Sequence, residues 1–482
     1  MCRANEAPRP HGKLGSSGSQ NIRLRKALVL RSITRSRNAW LKLLAVGFVI
    51  ALSLAAFGQS QSDKPSSIKV RLGLRLFEDD RFSSPQGDLQ NSCRSCHLSN
   101  EDPQGVRAHT DFFARSWVPW RAGDPRRDEL RNSPTIYDAA LMTRLHLDGE
   151  FASIEDLVRG TLAGRPMGWL PGEQEQAFER IRGVILTDTT DSDISYRTLF
   201  KAAYEVDAEE LGKKDLIEMV VRSISDYLST LRTTRATPYD LFVQVNGLDT
   251  APRRSEDAKD FANRMLSRIA ALEEKHMLRL PTGFGAGALK GLREFFRTDG
   301  TSSAGNCVTC HTPPLFTDLS FHNMGISQSE YDQVNGDGAF AKLNIPAADQ
   351  AHRPSTQFRE TPSKKKPDCA DLGHWNFVDL KSSPLRRDGE GDDRFLQRMI
   401  GAIKTPTLRD LAFSYPYMHT GGFTTLESAL TELMRLSEMA RGGRVREGDE
   451  ELARIKLTEP NIASLVAFLN TLNDDLKPEQ KY

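Results

Sequence analysis

The sequence lacks an excess of charge of either sign. Its 65 lysines and arginines nearly balance 64 aspartates and glutamates, so the formal net charge is +1 over 482 residues. A nucleic-acid-binding protein would carry a basic excess or a basic stripe, and the balance argues against nucleic acid as a partner. Hydrophobic residues make up 38% of the chain and the mean hydropathy is −0.48. These values are typical of a soluble globular protein and not of a membrane-embedded bundle.

Long apolar runs are also scarce. The run "LLAVGFVIALSLAAF" has fifteen apolar or small residues and ends at Phe57, which is short for a bilayer span. A basic stretch without acidic residues precedes it, and the polar "GQSQSDKPSS" follows it. This order predicts that residues 1–58 are a secretory signal peptide cleaved near Gly58, or alternatively an uncleaved N-terminal anchor. In both cases the body of the protein is exported, and we expect it in the periplasm.

Cysteine is the third scarce feature, and its placement is informative. Of six cysteines in the chain, four fall into two copies of the pattern Cys-x-x-Cys-His. The copies comprise Cys93, Cys96 and His97 in "NSCRSCHLSN", and Cys307, Cys310 and His311 in "GNCVTCHTPP". Two cysteines at this spacing can bind both vinyl groups of one haem, and the next histidine can bind its iron as the proximal ligand. A zinc site would need a second close pair of ligands, and a thioredoxin-like motif would not require the histidine. The sequence predicts two covalently bound c-type haems.

A second segment also occurs twice. The segment "SPTIYDAALMTRLHLDGEFASIEDL" begins at Ser133, and "TPTLRDLAFSYPYMHTGGFTTLESAL" begins at Thr405. Without a gap, the shared residues pair as Pro134 with Pro406, Asp138 with Asp410, Gly149 with Gly421, Phe151 with Phe423 and Glu155 with Glu427. Each copy follows one haem motif. We therefore predict two tandem cytochrome c-like haem domains related by internal duplication, at residues 65–245 and 250–475.

The apolar periodicity is mostly helical, and no convincing alternation typical of strands occurs. Segments such as "KKDLIEMVVRSISDYLSTL" and "EDAKDFANRMLSRIAALEEKHM" have amphipathic helical spacing, so the predicted fold class is mainly α. Ser153 is predicted to start a helix in the first copy, and a capping box of Thr424 and Glu427 is predicted to start its counterpart. Residues 327–394 are polar and poor in periodicity. They are predicted to be a partly disordered surface insertion without assigned chemistry, or alternatively a loop that docks an electron donor.

The two haem motifs occur together with "LRNSPT", "LHLDGEFASIEDL", "FTDLSFHNMGI" and "KTPTLRDLAFSYPYMHTGGFTTLE". In this combination the chain resembles the bacterial di-haem cytochrome c peroxidase family, including the related di-haem enzymes that mature a quinone cofactor. The resemblance implies that the C-terminal haem accepts electrons from a small redox donor, such as a cytochrome c or a cupredoxin. It implies that the N-terminal haem uses them to reduce hydrogen peroxide to water, and it allows a homodimer. A di-haem oxidase acting on a protein or small molecule, and a pure electron-transfer cytochrome, remain alternatives.

The resemblance also implies further iron ligands and catalytic groups. A methionine that binds the electron-accepting haem is expected in the helix after "PYMHTGG", where the matching position is Leu433 and Met434 follows directly. Met434 is therefore the candidate ligand, Met439 is a weaker one, and the alternative is that Met434 is a core residue.

On the peroxide side the sequence departs from the family pattern. The expected distal histidine falls on Asp124, and the expected distal glutamate falls on Pro166. Cleavage of the O–O bond needs a group that moves a proton between the two peroxide oxygens. The candidate replacements are His109, His146, Glu150, Glu155 and Glu173, of which we take His109, Glu150 and Glu155 as the catalytic set.

The resemblance finally implies a calcium ion between the two domains. It would be bound by the Asn132 side chain and by the backbone carbonyls of Ser414 and Pro416, because calcium prefers neutral oxygens completed by water. The alternative is that Asn132 caps a turn before Pro134. His322, in "FHNMG", is predicted to be a structural hydrogen-bonding residue.

Overall fold

The computed structural model describes residues 68–97, 100–101, 107–108, 119–124, 131–189 and 195–474. The predicted signal peptide or anchor at residues 1–58 and the candidate catalytic residue His109 lie outside the described residues. Within the described ranges, no helix is long and apolar enough to cross a membrane. The described residues belong to one compact unit, and the domain boundary expected near residues 245–250 stays a prediction.

Most of the described chain is helical, as the apolar periodicity predicts. The α-helices are α1 Ile68–Glu78, α2 Cys93–Cys96, α3 Ile154–Leu162, α4 Gln174–Thr187, α5 Tyr196–Tyr204, α6 Lys213–Leu228, α7 Pro238–Val245, α8 Ala258–Glu274, α9 Ala286–Phe296, α10 Ile326–Asn335, α11 Ala339–Lys342, α12 Asp392–Arg398, α13 Leu426–Arg441, α14 Glu450–Arg454 and α15 Glu459–Leu469. The described strands are two residues long and form two antiparallel pairs: β1 Asn100–Glu101 with β2 Arg107–Ala108, and β3 Phe321–His322 with β4 Ile403–Lys404. The mainly α fold class is confirmed.

Each half of the described chain contains a pair of helices that cross at a glycine. In the first half α1 packs on α6, and a Cβ added at Gly73 would collide with the carbonyl oxygen of Ser223. In the second half α9 packs on α15, and a Cβ added at Gly291 would collide with the carbonyl oxygen of Ser464. Glycine is required at both crossings because only a residue without a side chain lets the two backbones approach so closely. Two separate apolar cores are built around these two helix pairs.

The two copies of the repeated segment adopt the same local structure. Asp138 and Asp410 both have left-handed backbone conformations, with φ of 57° and 61°. Both are followed directly by a 3-10 turn, at Ala139–Leu141 and at Leu411–Phe413. Equivalent backbone bridges then close each copy, Leu145 with Phe151 and Tyr417 with Phe423. Sequence similarity without a gap therefore corresponds to conformational similarity at the aspartate, the turn and the bridge.

The helices that end the two copies begin at equivalent residues. As predicted, Ser153 caps α3, and its hydroxyl accepts a hydrogen bond from the Asp156 amide at 3.1 Å. The prediction for α13 is wrong by one residue, because the cap is Thr425 and not Thr424. Thr425 has an extended backbone and its hydroxyl accepts from the Ser428 amide at 3.1 Å, so Ser428 takes the place that was expected for Glu427.

The segment at residues 327–394 is folded, so the prediction of a partly disordered surface insertion is wrong. It carries much of a separate apolar core, whose large buried side chains are Tyr331, Phe340, Phe358, Trp375 and Phe395. Arg353 fixes two turns of the segment by donating to the carbonyls of Trp375 at 2.8 Å and Val378 at 2.9 Å. The aromatic residues are spread over short helices and turns, and they therefore leave no helical or strand period in the sequence.

Candidate active site

The two haem motifs fold into the same kind of turn. The His97 amide donates to the Cys93 carbonyl at 3.0 Å, and the His311 amide donates to the Cys307 carbonyl at 2.8 Å. All six cysteine and histidine residues of the motifs line one continuous cavity of about 650 Å³. Apolar residues supply much of the remaining wall, among them Phe77, Leu145, Leu228, Leu408 and Leu469. A cavity with mostly apolar walls and a few placed polar groups is the usual setting for a bound cofactor.

The two motif histidines are in the state that iron binding requires. Burial, assisted by the nearby charge of His146, lowers the pKa of His97 to about 4. Burial also lowers the pKa of His311, although a hydrogen bond to Phe316 partly opposes this effect. The Nδ1 atom of His311 lies 2.9 Å from the Phe316 carbonyl oxygen. A carbonyl can only accept, so Nδ1 carries the proton and the lone pair of Nε2 is left for a metal.

The first cysteine of each motif has a raised pKa. Burial, assisted by the charge of the second cysteine of each motif, raises the pKa of both Cys93 and Cys307 to about 12. Each motif brings two thiols and one imidazole to the wall of the same cavity. These residues fit two porphyrins held by thioether bonds, one at Cys93, Cys96 and His97 and the other at Cys307, Cys310 and His311.

A carboxylate with two basic neighbours lies in the N-terminal part of the cavity wall. Glu150 Oε2 lies 3.1 Å from His146 Nδ1 and accepts a hydrogen bond from Arg359 at 2.9 Å. Burial raises the pKa of Glu150, but the hydrogen bond to His146 and the charge of Arg359 outweigh it and bring the pKa to about 2. Glu150 is thus an ionised carboxylate at neutral pH, in the same cavity as the Cys93–His97 motif. Such a group can accept a proton from a substrate.

The other candidates for the peroxide side are placed differently. Glu155 is exposed on α3 and does not line the cavity, and Glu173 forms an ion pair with Arg121 at 2.8 Å. Asp124, where the distal histidine was expected, pairs with Arg165 at 3.1 Å. The structure therefore brings Glu150 and His146 to the cavity and leaves Glu155 outside it, and His109 stays an untested candidate.

The predicted methionine ligand does not face the cavity. The α13 residues that line the cavity are Leu426, Ala429, Leu430 and Leu433, whereas Met434 packs against the apolar core. The methionines that do line the cavity are Met142, Met167, Met324 and Met418. The position of Met434 supports the alternative of a core methionine, because successive residues of a helix point about 100° apart.

Two of the three predicted calcium ligands, the Asn132 side chain and the Pro416 carbonyl, come together. The Asn132 amide nitrogen donates to the carbonyl oxygen of Pro416 at 2.5 Å and to that of Met418 at 3.5 Å. Asn132 Oδ1 is buried and has no hydrogen-bond partner. Exchanging the amide oxygen and nitrogen, which are nearly indistinguishable in shape, would bring three neutral oxygens together, and such a donor set fits a hard cation such as calcium. The third oxygen belongs to Met418, whereas the prediction names Ser414, which lines the cavity.

Buried charges from distant parts of the chain meet beside this contact. Arg131 forms ion pairs with Asp148 and, at 2.6 Å, with Asp371. His419 lies 3.2 Å from Glu330 and 3.8 Å from Asp371, and these charges raise its pKa although burial alone would lower it. The folded insertion supplies both Asp371 and Glu330, so it forms part of the site and is not a detached loop.

His322 is a structural residue, as predicted. Its Nδ1 lies 2.6 Å from Asp449 and its Nε2 lies 2.7 Å from Asp318. Burial alone would lower its pKa, but the two carboxylates raise it to about 12. With both ring nitrogens bound to carboxylates, His322 is an imidazolium that offers no lone pair to iron.

Sequence reasoning missed the partners of Glu150 and the role of the insertion. Arg359 lies 209 residues from Glu150 in the chain, and Asp371 lies 240 residues from Arg131. No local pattern connects residues at such separations. The available signal was the presence of arginines and aspartates within the polar segment at residues 327–394.

Comparison with known proteins agrees with this geometry. Residues 67–247 match the family model described as di-haem cytochrome c peroxidase. The chain is 24% identical over 416 residues to cytochrome-c peroxidase IdrP1 of Denitromonas iodatirespirans, covering 86% of this chain and 83% of the relative. It is 27% identical over 405 residues to the methylamine utilization protein MauG of Methylorubrum extorquens, covering 84% of this chain and 78% of the relative.

A solved structure shows the same fold. The diheme peroxidase BthA from Burkholderia thailandensis E264 aligns with a TM-score of 0.51 at 19% identity, covering 86% of this chain and 87% of that one. The two haem motifs, their shared cavity and these matches lead to one conclusion: residues 67–247 belong to the di-haem cytochrome c peroxidase and MauG family, and the chain is similar to its members over most of its length.

Proposed function

We propose that the protein is a di-haem c-type cytochrome built from two tandem cytochrome c-like domains, which reduces hydrogen peroxide to water in the periplasm. Its electrons come from a small redox donor, a cytochrome c or a cupredoxin. The observation that carries the proposal is that one cavity holds both haem motifs and an ionised carboxylate, Glu150. The reaction consumes two electrons and two protons for each peroxide and yields two waters, so a chain fed by one-electron donors needs two redox centres.

The haem-binding residues are divided between the two ends of the cavity. Cys93, Cys96 and His97 hold the peroxide-side haem, and Cys307, Cys310 and His311 hold the electron-accepting haem. When bound, these groups supply the irons that accept electrons and cleave the O–O bond. Asn132, with the backbone carbonyls of Ser414 and Pro416, holds a calcium ion that ties the two copies together.

Proton transfer falls to Glu150. Its carboxylate accepts the proton from one peroxide oxygen and returns it to the other, which becomes the leaving water. His146, 3.1 Å from Glu150 Oε2, fixes the orientation of the carboxylate. Arg359, 2.9 Å from the same oxygen, keeps it ionised between turnovers. Apolar walls on either side exclude bulk water from the path of the proton.

The test is peroxide consumption by the haem-loaded protein with a reduced cytochrome c as donor. Glu150→Gln keeps the shape of the side chain and removes its basicity, so we expect the turnover rate to fall by about 10²–10⁴-fold. Glu155→Gln is the matched control, because Glu155 is exposed and outside the cavity wall. Equal turnover rates for the two variants would remove Glu150 from the reaction. A wild-type protein that consumes no peroxide with reduced donor would refute the proposed function.

A second candidate function is a di-haem oxidase that acts on a protein or small molecule. The observation in its favour is Leu433, a side chain that cannot bind iron, at the position where the peroxidases have a methionine. EPR spectra of the ferric protein, combined with the donor assay, distinguish the two functions. An oxidase should retain its oxidising equivalents when donor is absent, whereas a peroxidase should turn over only when donor is present.

A further inference from the structure

Asn132 and Lys404 occupy equivalent positions in the two copies of the repeat, 272 residues apart. The Asn132 amide donates to the carbonyl of His419 at 2.7 Å, and the Lys404 amide donates to the carbonyl of Leu147 at 2.8 Å. The two acceptors, His419 and Leu147, are also 272 residues apart. Each copy therefore binds the other through the same backbone hydrogen bond.

The side chains at these two positions also have equivalent targets. Asn132 Nδ2 donates to the carbonyl of Pro416 at 2.5 Å. Lys404 Nζ donates to the carbonyl of Arg144 at 3.1 Å, and Arg144 is the counterpart of Pro416 at the same offset. The two contacts share their backbone geometry and differ in charge, because one side chain is a neutral amide and the other is an ammonium group.

The surroundings of the two side chains differ in the same sense. Asn132 Oδ1 is buried without a hydrogen-bond partner, and Asn132 Nδ2 lies 2.5 Å and 3.5 Å from the carbonyl oxygens of Pro416 and Met418, so the amide and the carbonyls together offer neutral oxygens to a cation. At the second contact the Lys404 side chain itself carries the positive charge. Lys404 is 8% exposed, and burial lowers its pKa to about 8, although the charge of the fully buried Asp148 partly opposes this effect, so the ammonium form prevails at pH 7.

We propose that the Lys404 ammonium group is a built-in cation. In the contact between Lys404 and the Arg144 carbonyl, this group supplies the positive charge that a bound cation supplies beside Asn132. It holds the loop of residues 144–147 against the C-terminal copy. The ring of His146 projects from this loop towards Glu150, so Lys404 is a positioning residue for the cavity wall. This inference rests on the predicted cation at Asn132 and not on the proposed peroxidase reaction.

The experiment exchanges the two side chains in the haem-loaded protein and measures unfolding by urea, with and without calcium. Lys404→Asn should lower the urea midpoint in the presence of a chelator, and calcium should restore it. Lys404→Met should lower the midpoint to a similar extent without restoration by calcium. Lys214→Met is the matched control, because Lys214 is exposed on α6, and it should leave the midpoint unchanged.

Calcium stoichiometry, measured by equilibrium dialysis, gives a second readout. The wild type should bind one calcium ion at the contact between the copies, Lys404→Asn one more, and Asn132→Lys one fewer. If the Lys404 variants do not fold, the calcium stoichiometry of Asn132→Lys still tests the inference. A Lys404→Met variant with the wild-type midpoint would overturn the proposal. So would a Lys404→Asn variant without additional calcium, or a wild-type chain that takes up none.

Discussion

Replacing Arg359 by methionine removes one of the two basic neighbours of Glu150 and leaves the other, His146. The Arg359 guanidinium donates to Glu150 Oε2 at 2.9 Å and lies 3.6 Å from Asp148. Methionine has a similar length and no charge, so the change removes the ion pair with little loss of volume. In the variant, burial raises the pKa of Glu150, and only His146 opposes this effect.

The size of the effect follows from the pKa of Glu150. It is about 2 in the folded protein against a reference value of 4.5, which corresponds to about 3 kcal/mol in favour of the carboxylate at roughly 1.4 kcal/mol per pKa unit. Arg359 and His146 together supply this preference and also offset the cost of burial. Without Arg359 we expect the pKa of Glu150 to rise from about 2 towards its reference value, because burial is then opposed by His146 alone.

The assay is the pH dependence of peroxide turnover with a reduced donor. A base must be ionised to act, so activity is lost as the pH falls through the pKa of Glu150. The wild type should keep its activity as far into acid as it stays folded. As the pH falls, Arg359→Met should lose activity at a higher pH than the wild type, and Arg359→Lys should restore part of the wild-type profile.

The control is Arg387→Met, which removes an arginine of the same insertion from an exposed ion pair with Glu450. It should leave the pH profile unchanged, because exposed pairs contribute little. If Arg359→Met also had the wild-type acidic limb, with the fold intact, the assignment of Arg359 as the group that keeps Glu150 ionised would be refuted.

Two other substitutions test the packing. Gly291→Ala places a methyl group against the Ser464 carbonyl at the crossing of α9 and α15, so we expect the free energy of unfolding to fall by about 1–3 kcal/mol. The control is Gly183→Ala in α4, where open space surrounds the added Cβ; it should raise the free energy of unfolding by about 0.5–1 kcal/mol. Equal effects of the two substitutions on urea unfolding would contradict the close approach of the helices. Met434→Leu should leave the absorption spectrum and the haem potentials unchanged, because Leu433 and not Met434 lines the cavity; a shifted potential would instead show that Met434 binds iron.

The features that the sequence predicts correctly are those encoded over short distances. A haem motif needs five consecutive residues, and its turn closes through one hydrogen bond from His97 to Cys93 or from His311 to Cys307. The repeat is recognisable because its aspartates and glycines adopt left-handed backbone conformations in both copies, and few residue types do so readily. The helix cap was misplaced by one residue because Thr424 and Thr425 are adjacent and either can accept the hydrogen bond.

The features that the sequence does not predict depend on distant parts of the chain. Glu150 and Glu155 are five positions apart, and nothing local shows that the first faces the cavity while the second faces solvent. The choice depends on Arg359, which a separately folded segment brings to Glu150. In the same way, the core around Trp375 and Phe395 leaves no period in the sequence because its elements are short. Met434 was preferred to Leu433 for its chemistry, whereas the direction of the side chain is set by the rotation of α13.

The reciprocal contact between the copies has a consequence for how such a molecule can diversify. When residue i of one copy binds residue j of the other, and j binds i in return, the pattern is that of a two-fold symmetric dimer. In a dimer of identical chains, both contacts must carry the same side chain, and any mutation changes both at once. Joining the copies in one polypeptide removes this restriction, so that asparagine can stand on one side and lysine on the other. A single polypeptide thereby allows one contact to be neutral while its counterpart carries a charge.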